Sequence, residues 1–357
     1  MKVVHVVNSM VRAGAELLLA ELHHHLLRLG TDSHVLSLTR SPDGPSVEEA
    51  LDLGARSLYR PTTTLRLARA LSREPARGAD VFHVHLFPSL LHFSLASRLA
   101  STPAPAVYTQ HNVTNRRRGR WWGKILDGVG YSPYRRVVCV SEAVRSSLVE
   151  WMPSLKGRCE VIHNGIDLRR FRPGERTDRS VPVVISVGRL TARKGYATAL
   201  RALALLPNLD LRYVLVGDGP QRKRLEKLAR HLGVWERVRF AGRSPDVPGF
   251  LARADVFLHP SRSEGFGIAV LEAMASGLPV VCTDLPALAE ITGPSGQSAL
   301  RCPPDPRAVA GHLRELLRSP GLRDRMGRSG RARAEGFDIQ SVAQSHLALY
   351  EHVAGNG

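Results

Sequence analysis

The chain of 357 residues is 43% hydrophobic, which provides enough apolar side chains for two globular domains. Fifty Lys and Arg against 32 Asp and Glu give a formal net charge of +18 at pH 7. This excess favours an anionic partner such as a nucleotide diphosphate, an acidic lipid or a nucleic acid, although the codon bias of a GC-rich genome would also produce it. The four cysteines stand singly and no apolar run reaches 18 residues, so neither a disulfide framework, nor a cysteine metal site, nor a membrane-spanning helix is predicted.

Apolar runs typical of buried strands alternate with helical patterns through the first half of the chain. The predicted strands are Lys2–Asn8, His34–Leu38, Val81–Leu86, Ala106–Gln110 and Arg136–Ser141, and the predicted helices are Leu17–Leu29, Leu65–Leu71 and Leu90–Ala100. Arg12 and Glu16 follow the apolar N-terminus where a secretion signal would have small residues, which favours a core strand and a cytoplasmic protein.

The second half repeats this alternation. Its predicted strands are Val181–Val187, Leu211–Val216, Val238–Ala241, Asp255–Leu258 and Val280–Thr283, and its predicted helices are Tyr196–Leu206, Gln221–Leu232, Ile268–Ser276, Ala308–Leu317 and Gln340–Val353. Between the halves, the polar segment 168–181 has the composition of a linker. Alternating strands and helices indicate an α/β fold with two doubly wound parallel sheets, one in residues 1–167 and one in residues 182–337, whose loops would face a common cleft.

The strongest functional signal is the segment HPSRSEGFGIAVLEAMASGLPVVCTD, residues 259–284. Glu264 precedes the predicted helix and Glu272 lies about a turn and a half inside it. The N–H groups of the helix N-terminus attract phosphate, and carboxylates accept hydrogen bonds from sugar hydroxyls. The pair therefore indicates a site for a sugar linked to a nucleotide diphosphate, although two glutamates at this spacing are more often solvated charges on a helix.

Two glycine-containing strand ends precede that segment. Arg189 follows Gly188 directly, and Lys194 lies five residues further on, so that an Arg and a Lys could hold a diphosphate between them. Gly217 and Gly219 form a second turn, which departs from the G-x-G-x-x-G pattern at Arg222. A basic surface loop and a tight turn would account equally well for these residues alone.

Together these motifs resemble the retaining glycosyltransferases of family 4, which have an E-x7-E signature and the GT-B fold of two Rossmann-like domains. The resemblance implies that Arg189 and Lys194 bind the donor diphosphate, that Glu264 contacts the donor sugar and that Glu272 binds the ribose. It assigns catalytic roles to Arg189, Lys194 and Glu264, and further donor contacts to Gly188, Gly217, Gly219, Arg243, Gly265, Phe266 and Gly267. It also implies that the final helix, within residues 338–357, crosses back to the N-terminal domain.

The N-terminal half contains two further matches to the family. Gly14 lies in a segment similar to the G-G-A-E loop, with Ala13 in place of the first glycine, and is the expected donor contact there. His111 follows a predicted strand and resembles the active-site histidine that orients the donor sugar, so it is predicted to be catalytic, although a single histidine is more often structural. His83, His85 and the run 23–25 lack carboxylate or cysteine partners at metal spacing, so packing or exposure is expected for them.

Residues Arg116–Leu126 combine basic side chains with Trp121, Trp122 and a short apolar run. Such a mixture suits the surface of an anionic membrane. We hypothesise that it holds the protein at the inner membrane face, near a lipid-linked acceptor. An RNA-binding arm or a charged loop with packed tryptophans would use similar residues.

The sequence thus predicts a retaining enzyme that moves a hexose from a UDP- or GDP-linked donor to a hydroxyl of a glycan or lipid-linked acceptor in cell-envelope or exopolysaccharide synthesis. It contains no D-x-D, so no metal on the donor diphosphate and no cofactor are expected. Three alternatives remain: a nucleotide-sugar epimerase of the same fold, a catalytically dead binding subunit, and a nucleic-acid-binding protein. Only the net charge suggests the last, and no nucleic acid is expected to bind.

Overall fold

The computed structural model describes residues 1–11, 14–40, 47, 50–115, 117–174 and 181–355. The chain forms two compact units. Unit 1 comprises Met1–Gly165 together with Ile339–Gly357, and unit 2 comprises Ile166–Asp338. No helix in the described ranges has both the length and the apolar character needed to cross a membrane.

Unit 1 contains one parallel sheet of seven strands in the order β3-β2-β1-β4-β5-β6-β7. The strands are β1 Lys2–Val7, β2 Asp32–Ser37, β3 Leu51–Asp52, β4 Val81–His85, β5 Ala106–Gln110, β6 Tyr134–Cys139 and β7 Cys159–Val161. The helices between them are α1 Gly14–Arg28, α2 Pro61–Leu71, α3 Ser89–Leu99, α4 Trp121–Tyr131 and α5 Glu142–Trp151. The direction of winding changes between β1 and β4, and each of these two central strands has a neighbouring strand on both sides.

Unit 2 contains one parallel sheet of six strands in the order β10-β9-β8-β11-β12-β13. The strands are β8 Val183–Val187, β9 Arg212–Val216, β10 Val238–Gly242, β11 Val256–His259, β12 Val280–Thr283 and β13 Ala299–Cys302. The helices are α6 Tyr196–Ala204, α7 Arg222–His231, α8 Val247–Ala252, α9 Ile268–Ala275, α10 Pro286–Thr292, α11 Pro306–Arg318 and α12 Pro320–Ala334. Here the winding changes direction between β8 and β11.

The last helix, α13 Ile339–Gly355, belongs to unit 1. Its apolar face packs against α1 and the sheet, where Ala343, Tyr350 and Val353 join the core formed by valines of four neighbouring strands. Unit 1 therefore combines residues from before and after unit 2, because α13 shares with α1 the burial of one face of that sheet.

Two doubly wound α/β sheets confirm the predicted fold class. Several elements were not predicted, among them α4, α8, α10 and α12. Gly123, Gly128 and Gly130 weaken the helical pattern of α4, and α8 has only six residues, so neither gives a strong periodic signal. Residues 175–180 of the predicted linker lie outside the described residues, whereas Phe171 is buried in unit 2 and its carbonyl accepts a hydrogen bond from Arg331.

Candidate functional site

The loops after β8 and β11 meet at the point where the winding of the unit 2 sheet reverses. The backbone N–H of Arg262 donates to the carbonyl of Arg193 at 2.8 Å, and the Ser261 hydroxyl donates to the same carbonyl at 3.3 Å. Ligands of open α/β sheets bind at this place, beyond the carboxyl ends of the strands that flank the reversal. The two loops therefore bring side chains far apart in sequence into one candidate site.

A buried carboxylate is the centre of this site. The Lys194 ammonium donates to Oε1 of Glu264 at 2.7 Å, and Nε2 of His259 lies 2.8 Å from the same oxygen. Glu264 is 9% exposed, so the ion pair is largely shielded from water. Within the described part of the chain both contacts end on Oε1, which leaves Oε2 for a hydroxyl group of a ligand.

The charge state of this cluster follows from its contacts. Burial alone would raise the pKa of Glu264, but the hydrogen bond from His259 and the charge of Lys194 hold that pKa well below its usual value. Burial lowers the pKa of His259 despite its bond to the carboxylate. At neutral pH, therefore, an ionised Glu264 accepts a hydrogen bond from a neutral imidazole and another from an ammonium group.

Glu272 has a different environment from Glu264. It lies on α9, and burial raises its pKa to about 7, against the smaller opposing effect of Arg170. When a carboxyl group is partly protonated at neutral pH, a ligand whose hydroxyls donate to the carboxylate stabilises the charged form of that group. The two glutamates of the sequence motif are thus electrostatically distinct.

The loop that carries Lys194 is held in place by glycine. Gly195 has a φ of 70°, and a Cβ there would lie 1.8 Å from the carbonyl oxygen of Pro260. Gly217 and Gly219 face the neighbouring β8 loop, where a Cβ would meet the backbone of Gly188 at 2.1 Å and of Leu190 at 2.6 Å. Close packing of the loops is therefore one reason for glycine at these positions, whatever binds there.

The remaining predicted donor residues of unit 2 differ in accessibility. Arg189 and Arg243 are exposed at the ends of β8 and β10, Gly188 and Gly265 are half-buried, and Gly267 is buried at the start of α9. Phe266 is another of the predicted donor contacts, but its side chain is buried, with its ring centroid 5.9 Å from that of Phe337. Its ring therefore packs inside the unit, and its backbone is the part left for a ligand.

Two residues of this site were not identified from the sequence. His259 holds the carboxylate of Glu264, and its only sequence signal was its position at the end of a buried strand, five residues before a glutamate. Tyr196 is buried, and its hydroxyl has no hydrogen-bond partner among the described residues. A Cβ on Gly188 would lie 2.9 Å from that hydroxyl, so the hydroxyl adjoins the strand end where an anion was predicted.

Unit 1 contains the other predicted residues, Gly14 and His111. Gly14 is exposed at the first position of α1, and Ala13 before it lies outside the described residues. His111 follows β5, and burial, with a smaller effect of His346, lowers its pKa to about 4. Its Nε2 is buried without a partner in the described ranges, so the neutral imidazole has a nitrogen available to a ligand.

Comparison with known proteins gives matches along most of the chain. The family model "Glycosyltransferase Family 4" matches residues 12–170, and "Glycosyl transferases group 1" matches residues 168–333. MMP alpha-(1->4)-mannosyltransferase of Mycolicibacterium hassiacum is 32% identical over 335 residues, which cover 85% of this chain and 78% of that protein. The GDP-mannose-dependent alpha-(1-6)-phosphatidylinositol dimannoside mannosyltransferase of Mycobacterium tuberculosis is 37% identical over 195 residues, covering 52% of this chain and 50% of that protein. The structure of Anabaena HepE in complex with UDP-glucose matches with a TM-score of 0.85 at 20% identity, covering 99% of this chain and 100% of that one, which shows a shared fold.

Proposed function

Because the chain belongs to glycosyltransferase family 4 and is a glycosyltransferase of the GT-B fold, we propose that it transfers a hexose from a nucleotide diphosphate to a hydroxyl of a glycan or lipid-linked acceptor, with retention of anomeric configuration. The supporting observation is the convergence of Lys194 and His259 on one oxygen of Glu264 at the winding reversal of unit 2. By similarity to its relatives, we assign the reaction to cell-envelope synthesis.

The donor diphosphate is assigned to Arg189, Lys194 and the first turn of α9. An ammonium group has three N–H donors, so Lys194 can bind Glu264 and a phosphate oxygen together. Arg189 is exposed beside it and adds a bidentate donor. Such preorganised positive groups stabilise the charge that grows on the leaving diphosphate.

Glu264 is assigned to the donor sugar through Oε2. A carboxylate with so low a pKa is a poor proton acceptor, so it orients hydroxyls and does not serve as a general base. The acceptor proton then passes to the departing phosphate, and attack from the face of the leaving group retains the configuration. His111 of unit 1, a neutral imidazole with a buried Nε2, is proposed to bind a sugar hydroxyl.

The donor is tested by thermal unfolding with UDP, GDP, UDP-glucose and GDP-mannose, because a ligand that binds the folded state raises the midpoint. We expect one base to be preferred. With its sugar donor, nucleotide diphosphate should be released only when an acceptor is present, and NMR of the product should show the donor's anomeric configuration. Formation of an epimer without acceptor would support the epimerase alternative, and stabilisation by nucleic acid but by no nucleotide would contradict the proposal.

The raised pKa of Glu272 leads to a pH-dependent prediction. If ribose hydroxyls donate to its carboxylate, binding favours the charged form, so affinity for the nucleotide sugar should rise up to about pH 7 and then level off. Below that pH a proton on Glu272 competes with the ribose hydroxyls, and each further pH unit lowers the affinity by up to about tenfold. Calorimetric titrations should use the nucleotide sugar, because the terminal phosphate of a free nucleotide titrates around pH 6.

Glu272→Gln is the control for this titration, since its amide does not ionise. We expect weaker binding without the inflection near pH 7. An unchanged inflection in this variant would show that another group is titrating.

We also propose that α4 contacts an anionic membrane. Trp121 is 78% exposed and Ile125 is 62% exposed, and Trp122 and Val129 extend the same apolar surface beside the exposed Lys124. A helix with such a surface can lie in the interface of acidic lipids.

The structure also restricts which residues of the basic segment Arg116–Leu126 can contact lipid. Arg116 lies outside the described residues. Arg117 is paired with the buried Asp127 at 2.7 Å, and Arg118 donates to the carbonyl of Ser147 at 3.0 Å. These two arginines anchor the segment to unit 1, so α4 itself provides the surface for lipid.

Replacing both Trp121 and Ile125 with alanine should reduce cosedimentation with acidic vesicles by roughly tenfold or more. Transfer of these two apolar side chains from water into lipid contributes a few kcal/mol to the free energy of binding. Tyr59→Ala is the matched control, since Tyr59 is 81% exposed in the same unit but lies outside α4. Equal sedimentation of both variants and the unaltered protein, or no preference for acidic over neutral lipid, would contradict membrane docking by α4.

A further inference from the structure

Three buried histidines lie together at the centre of the unit 1 sheet. His5 on β1 pairs in register with His83 on β4, and His85 follows two residues later on the same face. All three are at most 5% exposed, and their ring centroids are 4.0–5.4 Å apart. The parallel pairing of two central strands thus concentrates imidazoles that are 80 residues apart in the chain.

The spacing of their nitrogens suits coordination of one ion. Nδ1 of His5 and Nε2 of His85 are 3.2 Å apart. Two ligand nitrogens on a tetrahedral zinc ion are roughly 3.3 Å apart, given Zn–N bonds of about 2.0–2.1 Å. One nitrogen from each of the three residues lies within 4.8 Å of the others, so a small adjustment of His83 would complete a set of three.

Hydroxyl groups around the cluster can orient the rings. The two ring nitrogens of His83 each lie 2.6 Å from a hydroxyl, one from Tyr350 on α13 and one from Thr109 on β5. A histidine ligand uses one nitrogen for the metal and the other for such a hydrogen bond, so His83 would exchange one of these two bonds for the metal and keep the other. Nε2 of His5 is buried and has no hydrogen-bond partner among the described residues, so one polar atom of the cluster is left unsatisfied.

The type of ligand also restricts the metal. Three imidazoles without a thiolate suit zinc, copper or nickel.

We propose that His5, His83 and His85 bind one divalent transition-metal ion, best matched by Zn²⁺, that fastens β1 to β4 beneath α13. His346 is the nearest candidate for a fourth ligand. Its ring centroid is 5.6 Å from that of His83, and its Nδ1 donates to the carbonyl of Val342 at 2.9 Å, which leaves the lone pair on Nε2. From the sequence, packing or exposure is expected for His83 and His85, because they lack carboxylate or cysteine partners at metal spacing. Only the pairing of β1 with β4 places His5 beside them.

The proposal is tested on the full chain after removal of metals with a chelator. The stripped protein should bind one Co²⁺ per chain with the intense visible absorption of a tetrahedral site, and Zn²⁺ should displace it and raise the unfolding midpoint. His5→Gln should weaken Zn²⁺ binding by roughly tenfold or more. His24→Gln, at an exposed histidine of α1, is the matched control and should bind as the unaltered protein does.

Crystals grown with Zn²⁺ and measured at the zinc absorption edge locate the ion even if His5→Gln fails to fold. An anomalous peak among His5, His83 and His85 is the expected result. Three results would each overturn the proposal. They are a peak only at surface histidines, binding that is lost in His24→Gln but kept in His5→Gln, and a failure of the stripped protein to rebind Co²⁺ or Zn²⁺ stoichiometrically.

Discussion

Glu264→Gln is expected to reduce kcat/KM for sugar transfer by about 10²–10³-fold while the protein stays folded. The amide can still accept a hydrogen bond from Lys194 or His259, but its NH₂ group cannot accept one from a sugar hydroxyl. It also removes the negative charge that balances Lys194. The measurement is the initial rate of nucleotide diphosphate release in the presence of acceptor.

Glutamine is a sharper probe than alanine at this position. Alanine would leave Lys194 and His259 without their shared acceptor, and breaking a buried ion pair in this way costs about 3–5 kcal/mol. Lost activity would then be confused with lost folding.

Glu226→Gln is the matched control for this experiment. It removes another ion pair of unit 2, a 2.8 Å contact with Arg222 on α7, and should leave turnover unchanged. Turnover of Glu264→Gln close to that of the unaltered enzyme would refute the assignment of Glu264 to the donor sugar.

Gly195→Ala is expected to lower the free energy of unfolding by about 2–6 kcal/mol and to abolish most transfer activity. A left-handed backbone costs a non-glycine residue about 1–3 kcal/mol, and overpacking costs a further 1–3 kcal/mol or so. Here the added methyl group would meet the carbonyl of Pro260, which is backbone and cannot rotate away. The β8 and β11 loops would separate, and Lys194 would move away from Glu264.

Gly233→Ala separates the two contributions to this effect. Gly233 has a similar φ of 67°, but an added Cβ would have no neighbour within 4 Å. It should lose only the backbone contribution, about 1–3 kcal/mol, and should remain active. Denaturant unfolding of both variants, with turnover measured in parallel, provides the comparison, and equal losses in the two would show that the loop contact with Pro260 is unimportant.

Part of the candidate site could be predicted because its signals are local in the sequence. Glu264 and Glu272 lie eight residues apart around one helix start, and Arg189 and Lys194 share one loop. Residues this close together around a helix N-terminus indicate a site for phosphate and sugar hydroxyls without knowledge of the rest of the chain. The family resemblance that these motifs carried is confirmed by the family matches, whereas the role of each residue stays a prediction.

Other features of the site could not be predicted because they depend on long-range packing. His259 and Lys194 meet on one oxygen only because β8 and β11 are neighbours, although β9 and β10 separate them in sequence. Arg117 and Arg118 looked like membrane-facing charges, yet a buried carboxylate and a carbonyl hold them. A charged residue gives no local sign of whether its partner is water or another side chain.

By itself, the sequence determined the alternation of strands and helices, and hence two doubly wound sheets, because burial on both faces requires continuous apolar runs. It also determined the glutamate pair and the basic loop. Only the tertiary structure decided that Glu264 is ionised while Glu272 titrates near neutral pH, because desolvation and neighbouring charges set a pKa. It also decided that three histidines from two strands share one buried space, since strand order brings together residues that chain order keeps apart.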